Sequence, residues 1–219
     1  MTRTLNTARK EPLSGQTRSA VIFLHGYGAD GADLLGLADP LGAHLKDTLF
    51  LAPDAPERCH GNPFGLQWFP IPWLDGSSEA QAAEGLALAA ADLNAFLDGL
   101  MAETGLAADR IAIIGFSQGT MMALEVAPRR AEALAGVVAF SGRLLRPEAL
   151  GEVKSKPPVL LIHGDADPVV PFEEMGKAGD ALVTEGFEVF GHVMKGTGHG
   201  IAPDGLTVAL SFLREKLYR

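Results

Sequence analysis

Residues 110–127 read RIAIIGFSQGTMMALEVA, and most of the fold follows from how this stretch has to be built. Arg110 to Gly115 is a short aliphatic run suited to a buried strand, and Thr120 to Ala127 carries the apolar spacing of a helix. Between them Gly115, Phe116, Ser117, Gln118 and Gly119 spell GxSxG. With eight serines in the chain, chance supplies such a pattern roughly 0.1 times, and the strand-to-helix context makes it rarer. Turning a strand into a helix within one residue forces the serine into a strained backbone, and small neighbours let the two elements close up. The Ser117 hydroxyl is thereby raised at the carboxyl edge of a sheet. The helix start behind it offers main-chain N–H groups, Gln118 first, to any negative charge that develops there.

Working outward, strand-like runs recur at Ala20 to Leu24, Thr48 to Ala52, Gly136 to Phe140, Val159 to His163 and Phe187 to Met194. They lack polar alternation, as expected of a sheet covered on both faces. Helical patterns lie between them. Leu86, Ala90, Leu93, Leu97 and Leu100 share one face, and Ser78 with Gln81 forms a capping box ahead of them. Leu206, Leu210, Leu213 and Leu217 mark a last helix opened by Pro203 and Asp204. The alternation predicts an α/β fold with a mostly parallel central sheet and helices on both faces. The chain of 219 residues predicts one domain, with residues 1–18 as an N-terminal extension.

Composition narrows the function. Hydrophobic residues make up 47% and charged ones 21%, which is globular material. Eighteen Lys and Arg against 27 Asp and Glu leave a net charge of −9, with no basic cluster beyond Arg129 and Arg130, so nucleic acid is not an expected partner. The longest apolar run, Ala133 to Phe140, is too short to insert in a membrane, and the polar N-terminus lacks a signal-peptide core. A cytoplasmic protein is expected. Cys59 is the single cysteine, so neither an internal disulfide nor a multi-cysteine metal site is expected.

A raised serine needs a base. His25, His44 and His60 precede it, His163 ends a strand before any usable acid, and His192 lies inside a strand run. His199, in the glycine-rich GTGHG between the last strand and the last helix, remains. The acid is expected in HGDADPVVP, where Asp167 precedes Pro168 and is biased to an extended backbone, whereas Asp165 suits a turn hydrogen bond. A metal reading of His163, Asp165 and Asp167 has the right residue types but no further ligand cluster. A competing motif must also be weighed: Gly26, Gly28 and Gly31 fit GxGxxG after the first strand, with Asp54 placed as a ribose-binding acid. In so glycine-rich a chain that match is weak.

Taken together, FLHGYGAD, GFSQG, FSGRL, HGDADPVVP and GTGH make the chain resemble, from about Ala20 to Leu217, an α/β-hydrolase of the phospholipase/carboxylesterase family, which includes acyl-protein thioesterases. The resemblance implies a Ser117, Asp167 and His199 triad and oxyanion donors on the main chain of Tyr27 and Gln118, with His25 as a positioning residue. It implies no metal or organic cofactor. The substrate would be a small acyl ester or lysophospholipid, or an S-acylated protein. Two departures stand out: Thr120 where the family often has glycine, and Pro70 where its Trp-Phe-Asp segment has the acid. Only 18 residues separate Phe140 from Val159, where related folds often insert a cap, so no large cap domain is expected.

Phe64, Leu66, Trp68, Phe69, Ile71 and Trp73 crowd into a segment broken by Pro63, Pro70 and Pro72, too irregular for a helix or central strand. Such side chains either complete the core or form an acyl wall beside Ser117; the resemblance favours the wall, and all six are expected to bind substrate. The alternative of another class is a ligand-binding protein that keeps the fold without turnover, for which three matched catalytic side chains would be superfluous.

Overall fold

The computed structural model describes residues 2–59 and 62–218, and the side chains of Asn62 and Pro63 are not described. His60 lies outside the described residues. In chain order the elements are β1 (Thr7–Lys10), β2 (Ser19–Leu24), α1 (Gly31–Leu35), α2 (Ala38–Gly42), β3 (Thr48–Pro53), β4 (Glu57–Cys59), β5 (Asn62–Gln67), α3 (Pro72–Asp75) and α4 (Glu79–Thr104). They continue as β6 (Ile111–Phe116), α5 (Gln118–Val126), β7 (Gly136–Phe140), β8 (Val159–Gly164), α6 (Glu173–Thr184), β9 (Val189–Met194) and α7 (Pro203–Leu217). The main sheet has the order β1-β3-β2-β6-β7-β8-β9; β1 runs antiparallel to β3 and the other pairings are parallel. β4 and β5 form a separate antiparallel pair.

Alternation along each strand divides the core in two. Ala20, Ile22 and Leu24 of β2 pack with α4, α5 and α6, while Val21 and Phe23 face α1, α2 and α7. A strand apolar on both faces is thereby explained, since each face is covered by helices. The six expected strands are present. β1 was not expected: it lies within the proposed extension, where Thr7 to Lys10 pair with Pro53 to Phe50 as a sheet edge. Edge strands tolerate polar residues, so the apolar-run criterion passes over them.

The capping box of α4 is complete, with Ser78 Oγ accepting from the Gln81 N–H at 3.2 Å and Gln81 Oε1 accepting from the Ser78 N–H at 2.8 Å. This 26-residue helix is long and apolar enough to cross a membrane by composition. Its leucine face is nonetheless committed to the core, and its buried Asp92 accepts from the Arg3 main chain and Nε, both at 2.7 Å. The link between β7 and β8 is a short 3-10 turn at Pro147–Glu152, not a cap domain.

Candidate active site

β6 delivers Ser117 to the carboxyl edge at the centre of the sheet, between β2 and β7. Its φ of 54° and ψ of −114° are foreign to a side-chain-bearing residue, and such strain costs about 1–3 kcal/mol. Packing holds it there. The Ser117 N–H donates to the Phe140 carbonyl at 2.9 Å, and a Cβ on Gly119 would run into the Leu24 carbonyl oxygen. All nine residues of α5 are buried, so the helix cannot recoil. Thr120, the first departure from the family pattern, places Oγ1 2.8 Å from both the Gly115 and Phe140 carbonyls, directly under the turn. Gly142 accommodates it, because a Cβ there would collide with the Thr120 side chain.

The expected acid and base meet. His199 Nδ1 donates to Asp167 Oδ2 at 2.8 Å, and the Asp167 side chain is fully buried. Asp167 Oδ1 accepts from the N–H groups of Val169 at 2.8 Å and Val170 at 3.0 Å. Burial pushes this carboxyl up, but the bonds from His199, Val169 and Val170 outweigh it and hold Asp167 below the ordinary carboxylate range. The His199 ring lies 4.8 Å from that of Phe116, next to the serine. Asp165 is used differently: its Oδ1 accepts from the Gly196 N–H at 2.6 Å and braces the loop that carries His199. Among the described residues no group of three or more His, Cys, Asp or Glu is arranged to hold a metal, and His163, Asp165 and Asp167 are turned to the Val170 carbonyl, the Gly196 N–H and His199 respectively.

Sequence reasoning passed over His163. Its buried ring donates through Nε2 to the Val170 carbonyl at 2.9 Å, with Asp167 Oδ2 at 3.4 Å, and so closes the turn that wraps the carboxylate. The signal was present in HGDADPVVP, where a histidine near the end of β8 stands four residues before Asp167.

The first glycine loop packs on Ser117. A Cβ on Gly26 would sit 3.3 Å from Ser117 Cβ, and Asp54 is occupied by the Gly31 N–H at 2.9 Å and by Asn6 Nδ2 at 2.7 Å. His25 is buried, donating through Nδ1 to the Gly26 carbonyl at 2.8 Å and accepting at Nε2 from the Ala55 N–H at 2.9 Å. Desolvation lowers its pKa, so the ring stays neutral in a fixed tautomer. The Tyr27 phenol is turned toward Cys59, and burial, then the nearby thiol, pushes it up to about 12. Gln118 is the first residue of α5, and the first N–H groups of a helix have no intrahelical acceptor.

The aromatic segment needs correcting. Trp68 is 0% exposed, and Phe69 and Ile71 are buried beside it in the core shared with α4 and α5; none has surface left for a substrate. Leu66 is half-buried on the same core. Phe64 is 90% exposed on β5. Pro70, the second departure, packs against Gly85 of α4. Burial won because the segment crosses the end of the apolar face formed by α4 and β2, which would otherwise be open to water.

Trp73, 61% exposed, lines a cavity beside α5. That cavity, of about 260 Å3, is walled by Trp73, Met121, Arg143, Val169, Val170 and Pro171. Met121 donates its N–H to the Ser117 carbonyl and Val170 its own to Asp167, which ties two walls to the site. The Arg143 guanidinium lies 5.4 Å over the Trp73 ring and its Nε donates to Glu174 at 3.1 Å. Larger cavities, about 420 Å3 beneath the N-terminal segment and about 450 Å3 near Tyr218, lie away from the serine, so size does not mark the site here.

Comparison with known proteins bears on the family and the fold. The profile of the phospholipase/carboxylesterase family matches residues 8–217. The acyl-protein thioesterase 1 of Neurospora crassa is 31% identical, over 96% of this chain and 93% of its own. That of Saccharomyces cerevisiae is 32% identical, over 91% and 93%. The crystal structure of esterase PE8 superposes with a TM-score of 0.93 at 44% identity, covering 98% of this chain and all of the other. The chain therefore belongs to the phospholipase/carboxylesterase family of α/β-hydrolases and, as a member, is an ester hydrolase.

Proposed function

We propose that the protein hydrolyses carboxylic esters and thioesters by acyl transfer through Ser117. His199 Nε2 takes the Ser117 proton as Oγ adds to the acyl carbonyl carbon. The carbonyl electron pair moves to oxygen, and that oxyanion is held by the main-chain N–H groups of Tyr27 and Gln118. Asp167 fixes the imidazole with Nδ1 protonated and stabilises the imidazolium. The intermediate collapses, the His199 proton passes to the departing alcohol or thiol, and the acyl group remains on Ser117. Water, deprotonated by the same histidine, attacks the acyl-enzyme. The carboxylic acid leaves, and the proton returns to Ser117. The acyl chain is assigned to the cavity of Trp73, Met121 and Val169.

The observation that carries this reading is the 2.8 Å bond from His199 to the fully buried carboxylate of Asp167, on loops that flank a strained Ser117. Relatives named acyl-protein thioesterase support S-acyl proteins as substrates beside small esters and lysophospholipids. The test is labelling by a fluorophosphonate with peptide mapping, run beside Ser117→Ala turnover of p-nitrophenyl esters and a thioester analogue. The adduct is expected on Ser117 and the variant should lose about 10⁴- to 10⁶-fold in kcat. An adduct elsewhere, or near-normal turnover of Ser117→Ala, refutes the assignment.

A further inference from the structure

We infer that Trp68 is a positioning residue that sets the two oxyanion donors in register. The inference rests on the roles proposed above for Tyr27 and Gln118. Two N–H groups can hold one oxyanion only if both lie within about 2.7–3.1 Å of the point it will occupy. Tyr27 and Gln118 are far apart in sequence, so local backbone geometry cannot fix one against the other.

Trp68 bridges them. Its main-chain N–H donates to Gln118 Oε1 at 2.9 Å, and Gln118 Nε2 donates to the Phe69 carbonyl at 2.7 Å, a two-point clamp on the first residue of α5. Its indole Nε1 donates to the His25 carbonyl at 3.0 Å, and its ring lies 5.5 Å from the His25 ring. The His25 carbonyl belongs to the peptide unit just before the one that carries the Tyr27 N–H. On the far side of Tyr27, the Gly28 N–H donates to the Leu66 carbonyl and the Leu66 N–H to the Ala29 carbonyl, both at 2.9 Å. Residues 66–69 thus splint Tyr27 from both sides and grip Gln118 from a third. Trp68, Gln118 and His25 are all fully buried, so no water replaces a lost bond cheaply.

The indole N–H is the link that a variant can remove alone. Trp68→Phe leaves an aromatic ring but strips the His25 carbonyl of its indole donor, freeing that peptide to turn. Benzothienylalanine at position 68, with sulfur in place of the N–H, does the same with the shape preserved and guards against a folding defect. The measurements are kcat and KM for p-nitrophenyl butyrate, the Ki of a trifluoromethyl ketone, and Tm, with Leu97→Ala as a core variant from the same cluster. Both position-68 variants should lose about 10- to 100-fold in kcat with KM nearly unchanged. Ki for the ketone should rise by the same factor, because the ketone adduct uses the oxyanion donors. Leu97→Ala should lower Tm without moving kcat or Ki. Wild-type kcat and Ki in the benzothienylalanine protein, or an equal kcat loss in Leu97→Ala, would overturn the inference while an inactive Ser117→Ala left the underlying reading intact. An active Ser117→Ala would bring down that reading, and this inference with it.

Discussion

Replacing Asp167 by asparagine tests the proposed chemistry with little disturbance of the fold. The buried carboxylate makes three bonds, two from the main-chain N–H groups of Val169 and Val170 to Oδ1 and one from His199 to Oδ2. Asparagine offers one acceptor and one donor group. Set with its carbonyl toward the two N–H groups, it keeps both of those bonds and turns an amide N–H toward His199. Flipped, it would point donors at donors and forfeit two bonds, each worth about 1 kcal/mol. The first orientation therefore wins. It obliges His199 Nδ1 to accept, which moves the ring proton to Nε2, the atom needed as base toward Ser117. A histidine locked in the wrong tautomer costs a serine hydrolase about 10⁴-fold in kcat, or roughly 5 kcal/mol of barrier. Asp165→Asn keeps its Oδ1 for the Gly196 N–H and should cost little. Steady-state hydrolysis of a p-nitrophenyl ester, with folded enzyme verified by Tm, gives the comparison. A loss under tenfold in Asp167→Asn, or a larger loss in Asp165→Asn, would refute the reasoning.

Other outcomes follow from the same geometry. Ser117→Gly removes a side chain from a backbone that only glycine adopts comfortably; after offsetting glycine's greater unfolded freedom, a gain of about 1 kcal/mol should raise Tm by roughly 2–4 °C while activity disappears, and a lower Tm on calorimetry would contradict stored strain. His25 is held neutral by burial, so its folded pKa lies below the unfolded value near 6.5; the stability this confers is full above that pH and is lost as pH falls through the folded pKa. Wild type should therefore lose more Tm between pH 7 and pH 5 than His25→Gln does, and parallel thermal-melt curves would argue against it. Trp73→Ala should flatten the dependence of kcat/KM on acyl length, since cover for two methylenes at ~0.8 kcal/mol each is worth roughly 15-fold, with Tm almost unchanged at 61% exposure. Phe69→Ala should instead cost about 3–5 kcal/mol of stability; an ester series and melting curves showing the opposite pattern would return the acyl wall to the core aromatics.

What could be read from the sequence was what short-range chemistry fixes. β6, the turn at Ser117 and α4 with its cap each announce themselves within a few residues, because strain, periodicity and capping are local. Asp167 and His199 were legible because they lie on loops that follow consecutive strands of a parallel sheet, whose ends come together at one edge. The fate of Trp68 and Phe69 was not, since their partners His25 and Gln118 lie more than forty positions away in the sequence. An aromatic that fills a core and one that lines a pocket look alike until the opposing surface is known. His163 escaped for a related reason: its task is set by the Val170 carbonyl, a main-chain atom with no signature in sequence. β1 escaped because an edge strand needs neither apolar faces nor length.

The order in which the sheet is assembled has a consequence for when the turn at Ser117 is complete. β2 pairs with β6 across about 90 residues, a contact of high order that closes late and slowly. The Ser117 N–H then waits for the Phe140 carbonyl of β7, which comes later still in the chain. Until β7 has docked, the Ser117 N–H lacks its acceptor, and only the packing of α5 on β2 opposes relaxation of the strained backbone. The strained turn at Ser117 is accordingly complete only when the central strands of the sheet have closed.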